Sequence, residues 1–172
     1  ATMLTAPTFV AAQDANADIG ADITAMCGDK PVTVALTDGF GGNTWRRISE
    51  AEFRDEAAKC PNIEEVIYMD AGADQQKYNS DINSLAAQGV DIIVTFTDFG
   101  EASIPAYRAA MQAGVTVVPY FGLLKGEAGR DFSANVYIDQ IASGKAWADW
   151  YGQNLKEGNL IFLGGFAGAA SS

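Results

Sequence analysis

Short runs of apolar and β-branched residues recur along the chain. They are Val32–Leu36, Val66–Met69, Ile92–Phe96 and Val115–Val118. Continuous apolar runs of this length are typical of strands that are buried on both faces of a sheet. The pattern therefore predicts four buried strands.

Segments with a helical period lie between these runs. Tyr78, Ile82 and Leu85 recur at i, i+4 and i+7, and Ile104 and Tyr107 begin a similar pattern. A segment over 43–59 is predicted to be helical from its composition and from the proline that follows it. Strands that alternate with helices favour right-handed crossovers, so we expect a parallel α/β sheet.

A looser, glycine-containing stretch follows the fourth run, and a second unit follows that. We predict a strand over 135–138, a helix and a strand over 160–163. The expected organisation comprises an irregular leader (1–30), a first α/β lobe (31–121), a crossover or hinge (122–132) and an incomplete second lobe (133–172).

The first residues are small and apolar, and Val10-Ala11-Ala12 fits a signal-peptidase cleavage site before Gln13. We interpret the first 12 residues as the remnant of a signal peptide, although a featureless N-terminus would have a similar composition. Cys27 and Cys60 are the only cysteines. If the chain is exported, a disulfide between them is expected, and otherwise they are two free thiols.

Composition excludes several classes of function. The chain has 172 residues, with 11 Lys and Arg against 22 Asp and Glu, and its only adjacent basic pair is Arg46-Arg47, so nucleic-acid binding is not expected. No apolar run approaches the ~20 residues that span a bilayer, so direct membrane insertion is not expected either. There is no histidine, which removes Ser-His, Cys-His and His-metal sites. We expect neither a metal nor a cofactor.

Ligands of open parallel sheets bind at the carboxyl ends of strands. The aromatic and polar side chains that follow the predicted strands are Phe40, Asn43, Trp45, Asp98, Tyr120 and Phe121. An aromatic ring beside a carboxylate or amide is how proteins grip hydroxyl-rich rings. In the alternative interpretation, Trp45 and Tyr120 belong to the core, and Asp98 caps a helix that begins near Glu101.

Two other motifs occur at the same strand ends. Gly39-Phe-Gly41-Gly42-Asn-Thr44 resembles a dinucleotide fingerprint, but Thr44 occupies the place of the third glycine. A nucleotide-dependent, Rossmann-like enzyme is therefore the alternative function. Asp38, Asp70 and Asp98 could form a magnesium site of the receiver type, but the acidic pair that such a site needs after the first strand is missing.

The segments 34–46, 88–94, 113–119 and 139–146 together resemble the type I periplasmic sugar-binding family, and the match spans about 32 to 168. The resemblance implies three-layer α/β/α lobes that close on a ligand. It implies a periplasmic, non-enzymatic receptor that binds a sugar or polyol and delivers it to a membrane ABC permease. The related transcriptional regulators have a helix-turn-helix before the lobe, whereas residues 1–30 contain no basic helix.

The resemblance also assigns roles to particular residues. Asn43 and Trp45 look like the polar and ring-stacking residues of the family, and Asp98 looks like its carboxylate after the third strand. Tyr120–Phe121 stand where many members have an acidic-basic pair. Asp139 is similar to the aspartate that opens the first helix of the second lobe.

Overall fold

The structure is a computed structural model and describes residues 22–155 and 157–161. Among these residues, five strands form one parallel sheet in the order β2-β1-β3-β4-β5. The strands are β1 (Val32–Asp38), β2 (Ile63–Asp70), β3 (Ile92–Phe96), β4 (Thr116–Phe121) and β5 (Val136–Tyr137). All four strands predicted from the apolar runs are confirmed.

Helices follow β1, β2, β3 and β5, and in that order they are α1 (Thr44–Ala57), α2 (Gln75–Ala87), α3 (Ile104–Gln112) and α4 (Gln140–Asn154). The chain moves from β1 to β2 in one direction across the sheet and from β2 through β3 to β4 in the other. Because the crossovers are right-handed, α1 lies on one face of the sheet, and α2 and α3 lie on the opposite face. The result is the expected three-layer α/β/α arrangement.

The main apolar core lies between the sheet and the α2–α3 pair. It contains the periodic residues that predicted these two helices and one inward residue from each central strand: Tyr78, Ile82, Leu85, Ile104, Tyr107, Ala35, Ile93 and Val117. The hydroxyl of Tyr78 is completely buried and donates to the Phe96 carbonyl, next to Thr95. Burial of this tyrosine therefore leaves its polar atom satisfied.

Residues 122–132, the expected crossover, fold back onto the same core. Leu124 and Phe132 belong to the buried cluster. The buried carboxylate of Asp131 accepts hydrogen bonds from Arg108 Nε at 2.5 Å and from the Glu127 N–H at 2.9 Å. These contacts fix the segment against α3.

The region after this segment differs from the sequence-based expectation in two places. β5 was expected to begin a second lobe, but it pairs with β4 in the same sheet. The expected strand at 160–163 is wrong for Leu160 and Ile161, which lie outside any strand and are exposed, and the other two residues are not among those described. A strand needs a neighbouring strand to satisfy its backbone, and none of the described residues supplies one there.

A disulfide joins Cys27 to Cys60 across a Cα–Cα distance of 5.3 Å. It links a 3₁₀ turn at Thr24–Met26 to the loop between α1 and β2, and it confirms the pairing expected for an exported chain. The predicted signal peptide lies outside the described residues. No helix in the described ranges is long and apolar enough to cross a bilayer.

Candidate ligand-binding site

The loop after β1 is held by carboxylates from the two neighbouring strands. The Gly39 N–H donates to Asp98 Oδ2 at 2.8 Å, and the Gly41 N–H donates to Asp70 Oδ1 at 2.9 Å. A Cβ atom on Gly41 would lie 2.5 Å from Asp70 Cγ, which explains the glycine at this position. The glycines that resemble a dinucleotide fingerprint therefore approach protein carboxylates, which would repel a pyrophosphate.

A guanidinium lies buried among these strand ends. Arg46 Nη2 is 2.6 Å from Asp98 Oδ1, and Arg46 Nη1 is 3.1 Å from Asp38 Oδ1. Only 9% of the Arg46 side chain is exposed, and its guanidinium carbon lies 3.3 Å from the centroid of the Phe96 ring. We call Asp38, Arg46 and Asp98 the Arg46 triad. Its formal charge is negative, since two carboxylates face one guanidinium.

The triad is not completely satisfied by the protein. Arg46 Nη1 is close to Asp38 but makes no hydrogen bond of good geometry in the described residues. Burial raises the pKa of Asp98, while the Arg46 charge and the Gly39 N–H act in the opposite direction. Burial has the larger effect, so the ionised carboxylate of Asp98 is under-stabilised and would gain from another donor.

The helix-capping interpretation of Asp98 is wrong. The 3₁₀ turn at Gly100–Ser103 and the following α3 both begin without a side-chain cap. Both oxygens of Asp98 are directed instead to the β1 loop and to Arg46. Asp98 therefore joins three segments that are far apart in sequence.

Four aromatic rings lie beside the triad, and we call them the aromatic cluster: Trp45, Phe96, Tyr120 and Phe121. Phe96 stacks on Phe121 with a centroid distance of 4.7 Å and meets Tyr120 edge to face at 5.0 Å. Trp45 contacts Phe96 and Phe121 at 5.5 and 5.6 Å, yet half of it is exposed. A half-exposed tryptophan on a packed aromatic base is available to a ligand.

Phe121 has a positive φ of 85°, a conformation that side-chain-bearing residues rarely adopt. Its neighbours hold it there. Thr97 Oγ1 donates to the Tyr120 carbonyl at 3.2 Å and accepts from the Gly122 N–H at 2.8 Å. Strained backbone of this kind concentrates at functional sites.

The structure brings together most of the residues that the sequence analysis selected. Trp45, Asp98, Tyr120 and Phe121 meet in the triad and the aromatic cluster, and the ring of Phe40 lies 5.4 Å from that of Phe99. The other two selected residues are helix caps.

Asn43 is the N-cap of α1. Its Oδ1 accepts from the Arg46 N–H at 3.0 Å and its Nδ2 donates to the Phe40 carbonyl at 3.1 Å. Asp139 caps α4 through the Ala142 N–H at 2.8 Å and has no contact with the triad among the described residues. Its expected place at the start of a helix is confirmed.

The sequence analysis missed Arg46 and the role of Asp38 as its partner. Asn43, Arg46 and Ser49 are spaced by three residues, so they share one face of α1, and that face meets the sheet. An arginine on the buried face of a helix needs carboxylate partners, and Asp38 and Asp98 at the strand ends are the candidates. This spacing was the available signal.

The carboxylates of the three strand-end aspartates, which could have suggested a magnesium site, are engaged by Arg46 and by backbone N–H groups. Within the described ranges, no group of three or more metal-ligating side chains could hold a metal ion.

The profile of the periplasmic binding protein domain family matches residues 34–172. No curated protein matches the chain.

Similar folds occur in solved structures. The fructose-binding periplasmic domain of a hybrid two-component system has a TM-score of 0.69 and 20% identity, over 81% of this chain and 46% of that one. The binding protein of the arabinose ABC transporter from Shewanella sp. ANA-3 has a TM-score of 0.66 and 24% identity, over 81% and 46%.

A solute-binding protein from Actinobacillus succinogenes with bound D-allose has a TM-score of 0.65 and 24% identity, over 83% of this chain and 51% of that one. At these identities the likeness establishes the fold, and the chain spans about half the length of each structure. Family and neighbours are binding proteins rather than enzymes. The profile match extends over most of the sequence, and the chain belongs to the periplasmic binding protein domain family.

Proposed function

We propose that the full-length protein is a periplasmic solute-binding protein that captures a sugar or polyol and delivers it to an ABC permease. The observation that carries this proposal is the Arg46 triad beside the half-exposed Trp45, at the carboxyl edge of a parallel sheet. Solved neighbours with arabinofuranose and D-allose support the class of ligand.

The chemistry of the edge fits a hydroxyl-rich ring. The carboxylates of Asp38 and Asp98 are acceptors for the hydroxyl groups of a ligand, and the buried Arg46 guanidinium holds both in place. Trp45 covers the apolar face of the ring. Because the triad is already assembled by the fold, little ordering is required when the ligand arrives.

A binding role also fits the state of the acidic groups better than catalysis does. Asp38 and Asp98 are fixed by a guanidinium and by backbone N–H groups, so they are arranged to accept hydrogen bonds rather than to exchange protons. The glycine loop contacts Asp70 and Asp98, an arrangement that disfavours the Rossmann-like alternative. We infer that the protein has no enzymatic activity.

We propose that the rest of the ligand contacts come from a second lobe. β5 continues the first sheet, so we place the first lobe at 31–138, including the segment 122–132, and the start of the second lobe at the Asp139 cap. α4 supports this boundary, because Trp147 and Trp150 are exposed on it and none of its side chains is buried among the described residues. Lobe closure over the ligand would then signal the permease.

The proposal is tested by calorimetry on the full-length protein with a panel of monosaccharides and polyols. One of them should bind, and Trp45→Ala and Asp98→Asn should each weaken that binding by about 1 to 3 kcal/mol. Asp91→Asn is the matched control. Asp91 lies just before β3, at the opposite end of the strand from Asp98, and its carboxylate accepts a hydrogen bond from the Thr33 N–H. Absence of binding across the panel, or equal losses for Asp91→Asn and Asp98→Asn, would contradict the proposal.

A further inference from the structure

We infer that the ligand presents a deoxygenated or alkylated face to the aromatic cluster, and that Phe121 determines this preference. The inference rests on the proposed function, since it specifies the ligand of the same site. It follows from the way in which polar and apolar groups are distributed along the carboxyl edge of the sheet.

The charged groups lie at one part of this edge. Asp38 ends β1, Asp98 follows β3, and Arg46 reaches them from α1. The neighbouring part, where β3 pairs with β4, is aromatic: Phe96 lies opposite Tyr120, and Phe121 follows. The edge therefore offers hydrogen bonds on one side and ring surface on the other.

The polar atom of the aromatic side is already engaged. The Tyr120 hydroxyl lies 3.2 Å from Ser49 Oγ on α1, and the Thr97 hydroxyl donates a hydrogen bond to the Tyr120 carbonyl. Phe121 adds a ring that stacks on Phe96 and meets Trp45. A ligand that reaches this side meets ring carbons and has no charged partner among the described residues of β4.

The backbone of Phe121 strengthens the inference. Its φ of 85° would suit glycine, and the next residue is a glycine. A phenylalanine in this conformation is held against its preference, and such strain indicates a function for the side chain. The function that the geometry offers is an apolar surface directed at the ligand.

Solvation gives the sign of the effect. A ligand hydroxyl placed against the accessible rings of Trp45 and Phe121 loses its hydrogen bonds to water without replacement, whereas a hydrogen atom or a methyl group loses nothing and gains apolar contact. A hydroxyl that faces the Arg46 triad is paired. The preferred ligand is therefore amphipathic, with hydroxyl groups on one edge and a reduced carbon on the other.

The experiment uses the full-length protein and sugars that differ only in one terminal hydroxyl. The pairs are D-galactose with D-fucose, L-mannose with L-rhamnose, and D-glucose with D-quinovose. In a pair that binds, the deoxy sugar should bind about tenfold more tightly than its hydroxylated partner. Isothermal titration calorimetry measures both affinities.

Two variants assign the preference to Phe121. Phe121→Gly and Phe121→Asn both tolerate a positive φ, which offsets part of the loss of ring contacts with Phe96 and Trp45, so the fold should be retained with a cooperative thermal transition. Phe121→Gly should reduce the ratio of affinities to near unity, and Phe121→Asn should favour the hydroxylated sugar.

The outcomes separate the inference from the proposed function. Tighter binding of the hydroxylated sugar by the natural protein would overturn the inference and leave sugar binding intact. A tenfold preference that persists in Phe121→Gly would show that Phe121 does not determine the preference for the deoxy sugar. If no sugar of any pair binds, the inference fails, and the proposed function fails only if the whole panel of monosaccharides and polyols is negative as well.

Discussion

Asp98 and Asp131 are both buried and both paired with arginine, yet their pKa values move in opposite directions. Burial raises the pKa of Asp98 in spite of the Arg46 charge. Hydrogen bonds from Arg130, from the Glu127 N–H and from Arg108 hold the pKa of Asp131 well below its ordinary value. The side chains of Arg108 and Arg130 are 44% and 62% exposed, whereas Arg46 is 9% exposed.

The difference lies in how completely each carboxylate is solvated by the protein. Asp131 receives several donors, three of them from the two partly exposed guanidinium groups of Arg108 and Arg130, and it fixes the loop that contains it to α3. Asp98 receives the Gly39 N–H and one buried guanidinium, which it shares with Asp38. A complete set of partners makes Asp131 structural, whereas the incomplete set leaves the Asp98 carboxylate less well solvated, which supports its proposed role as an acceptor for a ligand hydroxyl.

The largest expected effect is the loss of the shared guanidinium. Arg46→Met leaves two buried carboxylates without a cation, and breaking a buried pair in this way costs about 3 to 5 kcal/mol of unfolding free energy. Urea unfolding of the full-length protein measures the loss. Part of it should be recovered as the pH is lowered, because burial raises the pKa of Asp98 and the carboxyl can then take up a proton.

Arg47→Met is the matched control for this change. Arg47 is exposed and bonds only Thr44 among the described residues, so its removal should cost less than about 0.5 kcal/mol. Equal losses for the two arginines would mean that Asp98 is as well solvated as Asp131, and the comparison would fail.

The disulfide provides a reference that touches neither carboxylate. Replacing Cys27 and Cys60 together with serine removes the bridge over a sequence separation of 33, which should cost roughly 3 to 4 kcal/mol on the chain-entropy model. Sugar affinity should not change. A weaker affinity in this variant would show that general destabilisation, and not a missing contact, explains the losses expected for Asp98→Asn.

The fold was largely predictable, because the helical spacing of apolar residues and the continuous apolar runs both indicate which residues are buried. Tyr78, Ile82 and Leu85 predicted α2 and are all in the core. α1 gave a weaker pattern for a physical reason, since its buried face begins with Arg46 rather than with an apolar residue. β5 was assigned to the wrong sheet because a two-residue strand carries no signal of its partner.

The residues of the candidate site could be selected from the sequence, but the contacts among them could not. Trp45, Asp98 and Phe121 follow from the rule that ligands bind at strand ends. The partner of Asp98 does not follow from that rule, because it is determined by the face of α1 that meets the sheet. The incomplete solvation of Asp98 requires distances, and these exist only after folding.

Acid titration sharpens the comparison through opposite slopes. The depressed pKa of Asp131 stabilises the fold above the unfolded value near 3.8, and this contribution is lost as the pH falls through the folded pKa. The cost of Asp131→Asn should therefore shrink in acid. The raised pKa of Asp98 has the opposite effect: its contribution to stability is present below the unfolded pKa near 3.8 and is lost as the pH rises through the folded pKa. The free-energy cost of Asp98→Asn should therefore fall as the pH rises.

Urea midpoints between about pH 2 and pH 6 measure both slopes in the same buffers. In addition, Asp131→Asn should leave sugar affinity unchanged, whereas Asp98→Asn should weaken it. Two slopes of the same sign would show that the two carboxylates are solvated alike.

The smallest effect is expected when Asp131 loses one of its hydrogen-bond donors and keeps the others. Arg108→Gln removes a guanidinium that is nearly half exposed, while the Arg130 guanidinium and the Glu127 N–H still bind the carboxylate. Exposed ion pairs contribute little, so Tm should fall by at most about 4 °C. Arg130→Gln should behave similarly, and the double variant should lose more than the sum of the two, because Asp131 then keeps only the backbone donor. Differential scanning calorimetry on the four proteins measures this. Strictly additive losses would mean that the arginines do not substitute for each other, and that Asp131 depends on a single partner in the way that Asp98 depends on Arg46.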